Sequence, residues 1–170
     1  MGERGVLRAD ARVELIDGEI IDMAPIGSRH AALVERLADI LRAAVRDRFM
    51  VRTQQPLAIN EYSEPEPDIA LVRRRADYYV DAHPSARDVL LIVEVAQSSL
   101  HYDSDVKVPF YARNQIPEVW VVDVERHCIK RAVGVQGDVY TQVESLDLGA
   151  PVVIAADPLI AIDLRGLFPA

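Results

Sequence analysis

At 170 residues, 50% hydrophobic and 27% charged, the chain suits one domain over residues 1–170 with a substantial core and an ordinary globular composition. No apolar run approaches the roughly 18 residues that span a bilayer, and the polar stretch 1–10 does not read as a secretory signal, so a membrane partner is not expected. The net charge of −8 repels a polyanion at low ionic strength, so a nucleic-acid partner has to meet basic side chains gathered on one face or supplied by another subunit.

The single cysteine, Cys128, cannot close an internal disulfide, which fits a reducing cytoplasm. The basic residues are seventeen arginines and only two lysines, Lys107 and Lys130. Each lysine therefore stands out, because ammonium and guanidinium groups do different chemistry.

In chain order, "ARVELIDGEIIDM" predicts a β-hairpin turning at Asp17-Gly18. A long helix is expected from about Arg29 to Arg48, with Ser28 as N-cap. On its wheel His30 shares a stripe with Leu33, Val34, Leu37, Ile40, Leu41, Ala44 and Val45, while Glu35, Asp39 and Arg42 lie opposite. "MVRTQQPLAI" suggests one or two short strands. "SEPEPDIALV" leads into a strand whose alternation groups Asp68, Ala70 and Val72. Arg73 to Ala86 is polar and irregular, with a short helix expected around Ala76 to Tyr79. Val89 to Val95 reads as a strand covered on both faces. A second helix is expected over Asp103 to Asn114, kinked by Pro109 or holding it in its first turn. "PEVWVVDV" and "HCIKRAV" predict strands, "VQGD" a hairpin, and "LIAIDL" a weaker last strand. The order indicates an α+β or mixed α/β fold.

Within this frame Glu94 is conspicuous: a carboxylate follows five aliphatic residues, and removing it from water costs several kcal/mol unless something compensates it. Asp68 begins one inner strand and Glu94 ends another. If those strands are neighbours, both acids converge, and a hard divalent ion would compensate both charges. Lys107 follows on the next helix, four residues from both Asp103 and Tyr111, placed to approach the pair.

The ordered pattern "PEPDIALV … LLIVEVAQSS … YDSDVKVPFYARNQIPEVWVVD" resembles the Uma family of putative restriction endonucleases, within the PD-(D/E)XK nuclease superfamily. The resemblance extends from "VELIDGEI" to the C-terminal strands and is densest from Pro67 to Asp123. It implies a restriction-endonuclease-like core, a mixed β-sheet flanked by helices, with the N-terminal hairpin added. It also implies a nuclease that cuts DNA phosphodiesters with Mg²⁺, or Mn²⁺ in its place. The superfamily's usual lysine position, two residues after the second acid, is Ala96 here; the Uma-type pattern puts the lysine on the next helix, where Lys107 matches. The resemblance assigns metal binding to Asp68 and Glu94 with the Val95 carbonyl, and water positioning or transition-state stabilisation to Lys107. It leaves His30, Gln54, Glu14, Asp103 and Tyr111 as supporting residues. Glu35 points away from His30, so the helix acid common in the superfamily is not assigned to it. A homodimer suits cutting both strands of a duplex.

Each residue has a plainer reading. Glu94 can be a structural ion pair, Asp68 a turn residue, and Lys107 with Asp103 an exposed i, i+4 pair. His30 can be a hydrogen-bonded core histidine, Arg73 to Arg75 a solvated charge run, and Trp120 and Tyr111 packing residues. Cys128 is expected to be a buried small hydrophobe. A catalytically idle nuclease fold serving as a binding or assembly module is the competing function, favoured by the acidic charge.

Overall fold

The computed structural model describes residues 12–168, so the reading of 1–10 lies outside the described residues. A six-stranded sheet runs in the order β3 (Phe49–Thr53), β4 (Ile69–Arg73), β5 (Val89–Ala96), β6 (Glu118–Asp123), β7 (Cys128–Gln136), β8 (Val139–Ser145). β5 and β6 are parallel and every other neighbouring pair is antiparallel. The parallel pair is joined by a crossover that carries the second helix, as parallel strands require. Two hairpins complete the fold: β1 (Val13–Ile16) with β2 (Glu19–Asp22), and β9 (Val152–Ile154) with β10 (Asp157–Ile162). This is the expected mixed α+β architecture with an N-terminal hairpin. Among the described residues no helix is long and apolar enough to cross a membrane.

The period-2 alternation of β4 and β5 divides the core. Ile69, Leu71, Leu91 and Val93 face one side and pack with α1 (Ser28–Val45), through Leu33, Leu37 and Leu41. Ala70, Val72 and Ile92 face the other and pack with Phe110 and Tyr111 of the second helix. Full burial of each large apolar side chain contributes about 1.5–3 kcal/mol, so both faces hold the sheet in place.

Several local expectations need correction. Ser28 is the first helical residue rather than the cap; Gly27 takes the N-cap position without a side-chain cap bond, and the helix ends at Val45. A Cβ on Gly27 would come within 3.1 Å of the Gln97 side chain, which favours glycine there. No helix forms around Ala76 to Tyr79. Tyr78 and Tyr79 have φ of 52° and 61°, incompatible with a right-handed helix, and a 3₁₀ turn forms instead at Ala86–Asp88. The hairpin β9–β10 adds a strand beyond the single one expected near "LIAIDL". Cys128 is only half-buried.

The second helix, α2, covers residues 100–113 and starts earlier than expected. Its middle, Asp103–Lys107, is π-helical, and the Val108 amide bonds back five residues to the Asp103 carbonyl. Pro109, which has no N–H to donate, lies just past this segment, in the first turn of its α-helical end. Such π-bulges concentrate at functional sites because they re-aim side chains. Here both ends of the bulge, Asp103 and Lys107, are buried.

Candidate active site

The strand register builds the site. Thr53 pairs with Ile69, and the ladder continues with the Gln54 amide donating to the Asp68 carbonyl at 3.0 Å. Ile69 pairs with Val93, which sets Asp68 opposite Glu94. Gln54, Asp68 and Glu94 therefore form one row across three strands, on the α2 side of the sheet. Residues directly opposite in such a row lie about 4.5–5.5 Å apart at Cβ, so the two acids converge from residues 26 positions apart in sequence.

Asp68 is held from three sides. Its Oδ2 lies 3.0 Å from His30 Nε2 at the start of α1 and accepts the Val95 amide at 2.8 Å. Its Oδ1 accepts only a long 3.4 Å bond from Gln54 Nε2. The amide and carbonyl of one strand residue leave by the same edge, so the Val95 carbonyl faces the gap beside Asp68.

Glu94 is buried, and among the described residues its Oε1 accepts both of its hydrogen bonds, from Tyr111 at 2.6 Å and Lys107 Nζ at 3.2 Å. Lys107 also meets Glu14 Oε2 of the N-terminal hairpin at 3.0 Å. Lys107 is 5% exposed and Asp103 4%, so the reading of these two as a surface pair does not hold. The ion-pair reading of Glu94 describes a real contact, and it accounts for one oxygen of the carboxylate.

These groups open into a cleft of about 390 Å³ between the hairpin, the start of α1 and α2. Six carboxylates line it, Glu14, Asp22, Glu66, Asp68, Glu94 and Asp103, against the two fixed cations Arg12 and Lys107. The imbalance reaches the proton affinities. Burial pushes Glu94 up to about 8; Lys107 pulls it back, while Asp103, Asp68 and Glu14 add to the rise. Burial also raises Asp103, against a hydrogen bond from Ser99 and the charge of Lys107, and raises Glu66, against Arg12. Burial alone would lower Lys107, but Glu94, Glu14 and Asp103 outweigh it and hold the ammonium above the ordinary lysine value. Burial, with Glu94 adding to it, keeps the Tyr111 hydroxyl protonated.

Among the described residues no three His, Cys, Asp or Glu side chains form a ready-made metal cage. The donor set nonetheless fits Mg²⁺. That ion is normally taken by one or two carboxylates, keeping its remaining positions for water and substrate phosphate. Asp68 Oδ1 is weakly engaged, Glu94 Oε2 accepts no hydrogen bond among the described residues, and the surrounding carboxylates exceed the cations.

The nine residues that the resemblance names, Asp68, Glu94, Val95, Lys107, His30, Gln54, Glu14, Asp103 and Tyr111, all border this cleft or hold its members. Glu35 is exposed, as its wheel position predicts. Sequence reasoning missed Glu66, Ser99 and Tyr102. Tyr102 lines the cleft with its ring 6.0 Å from Lys107 Nζ, and burial pushes its hydroxyl up to about 12. The only sequence signal for it is its place one residue before Asp103.

Residues 4–164 match the family Uma2, described as "Putative restriction endonuclease". Among solved structures the chain is similar to a crystal structure described as "a putative nuclease" from Anabaena variabilis. The two share 13% identity and a TM-score of 0.77 over 98% of this chain and 94% of that one, a likeness of fold. Among curated proteins, none matches the chain. A match over nearly the whole chain settles its kinship: the protein belongs to the Uma2 family of putative restriction endonucleases.

Proposed function

We propose that the protein is a divalent-metal-dependent endonuclease that hydrolyses phosphodiester bonds in DNA. The observation that carries this reading is the cross-strand pair Asp68 and Glu94, under-neutralised in an open cleft and joined there by Lys107. Asp68, Glu94 and the Val95 carbonyl are the groups that would hold Mg²⁺, or Mn²⁺ in its place. When bound, the ion supplies Lewis acidity at a phosphate oxygen and makes water nucleophilic at neutral pH.

The chain's own groups do the rest. Gln54, His30 and the Val95 amide fix the orientation of Asp68. Tyr111 fixes Glu94. Lys107, braced by Glu14, presents its remaining donor capacity to the attacking water or to the charge that builds on phosphorus. Asp103, at the far end of the π-helical segment, adds to the field that keeps Lys107 protonated. A lone half-buried Cys128 suits a reducing cytoplasm, and a homodimer suits cutting both strands.

The test is incubation of plasmid, duplex and single-stranded DNA with Mg²⁺ or Mn²⁺. Cleavage that is lost with EDTA and in Asp68→Ala supports the reading. The second reading, an idle nuclease fold used for assembly, is favoured by the −8 charge and the closed contacts of Lys107 with two glutamates. It predicts no cleavage and no stabilisation by millimolar metal.

A further inference from the structure

The row of the sheet next to the acids contains a cation that the proposed chemistry does not use. Arg52 on β3 pairs with Ala70, and Ala70 with Ile92. Arg52 therefore stands two residues, about 7 Å along the strands, from the Gln54–Asp68–Glu94 row and on the same face. β3 is an edge strand, so this position opens at the side of the sheet. Arg52 is half-buried, its Nε has no hydrogen-bond partner, and no carboxylate lies within ion-pair distance of it among the described residues.

The positive charge continues outward. Arg52 Cζ lies 5.9 Å from the centre of the Tyr79 ring, and Arg75 Cζ packs on the same ring at 4.8 Å. The Tyr79 hydroxyl donates to the Arg73 carbonyl at 2.7 Å, and Arg73 Nε donates to the Arg87 carbonyl at 3.3 Å. Arg75 is paired with Asp77, whereas Arg73, which leaves β4 on the α1 side, and Arg87 are exposed and form no ion pair among the described residues. Elsewhere arginines such as Arg42 and Arg165 are matched by Asp39 and Asp163. Burial lowers the proton affinity of Arg52, partly offset by Tyr79, yet a guanidinium remains charged at any physiological pH. A half-desolvated cation without a counter-ion is costly to keep unless a polyanion completes it.

We propose that Arg52, on the α2 face of the edge strand, and the exposed Arg73 and Arg87 beyond it carry the phosphate backbone of the nucleic-acid strand whose scissile bond lies in the cleft. This rests on the nuclease reading and adds to it the path of the substrate. It also locates the cationic surface by which a chain of net charge −8 attracts a polyanion.

The test is fluorescence anisotropy of labelled 20-nucleotide single strands and duplexes, with Ca²⁺ present and salt varied. Arg52→Ala should weaken binding about tenfold and make the log–log salt dependence shallower by roughly 0.7 for a single strand or 0.9 for a duplex. Arg52→Lys should keep the salt slope. Arg73→Ala and Arg87→Ala, both at exposed positions, should act in the same direction, and Arg42→Ala should not. Variants that bind like Arg42→Ala, or a wild type that binds neither probe, would overturn the proposal. Binding with the expected salt dependence but no cutting in Mg²⁺ refutes the nuclease reading alone. Cutting that Arg52→Ala, Arg73→Ala and Arg87→Ala leave intact refutes this surface alone.

Discussion

Glu118 on β6 and Glu94 on β5 are both sealed in the central sheet, at 0% and 2% exposure, yet their surroundings differ in kind. Glu118 is saturated. Its Oε1 accepts Trp120 Nε1 and Arg131 Nε, each at 2.7 Å, and its Oε2 accepts the Ala155 amide at 2.7 Å. Those bonds tie β6 and β7 to the β9–β10 hairpin. Glu94 has donors on one oxygen only, lines the cleft, and is surrounded by further acids. A buried charge that serves the fold is matched by donors on all sides, because leaving it unmatched costs several kcal/mol. A buried charge that awaits a cation is left short on the side where the cation enters.

Substitution should separate the two. Asp68→Ala and Glu94→Ala are expected to abolish metal-dependent cleavage, and Lys107→Ala to reduce kcat about 10²–10³-fold while sparing metal binding, as single-turnover assays and calorimetry would reveal. Loss of the groups that orient the acids, in His30→Ala or Tyr111→Phe, should reduce activity or metal affinity about 10–100-fold. Glu118→Ala should instead cost about 3 kcal/mol of stability, by leaving Trp120 Nε1, Arg131 Nε and the Ala155 amide without their acceptor, with activity per folded molecule unchanged. Urea titration should find Glu94→Gln less damaging than Glu118→Gln in EDTA, since glutamine keeps the Tyr111 bond and relieves the crowded acids.

The smallest expected effect is a pH slope. Glu94 is raised from its ordinary 4.5 to about 8, so between those values the folded chain holds a proton that the unfolded chain has released. The stability from this group is present below about pH 4.5 and is lost as pH rises towards 8. Urea midpoints of the metal-free protein should fall across that window, and Glu94→Gln should flatten the fall.

Much of this site was legible in the sequence because it rests on periodicity. Strand alternation grouped Asp68 with Ala70 and Val72, and the helical wheel turned His30 inward and Glu35 out. Lys107 required the family resemblance, since spacing alone allows a surface pair with Asp103. The depth of Asp103 and Lys107 was not legible: a π-helical segment changes the phase of side chains without altering the apolar pattern, and Pro109 signals only that something must give. Glu66, Tyr102 and Arg52 were missed for a related reason. Their places depend on which elements pack together and, for Arg52, on which strands pair and in which register, which no local pattern encodes. The turn at Tyr78 and Tyr79 was misread because both residues adopt left-handed backbone that tyrosine rarely visits.

The most direct test of the contrast between the two glutamates is a crystal soaked in Mn²⁺ and measured for anomalous scattering. A peak is expected between Asp68, Glu94 and the Val95 carbonyl, and none beside Glu118. Saturating Mn²⁺ with no peak between Asp68 and Glu94 would contradict it.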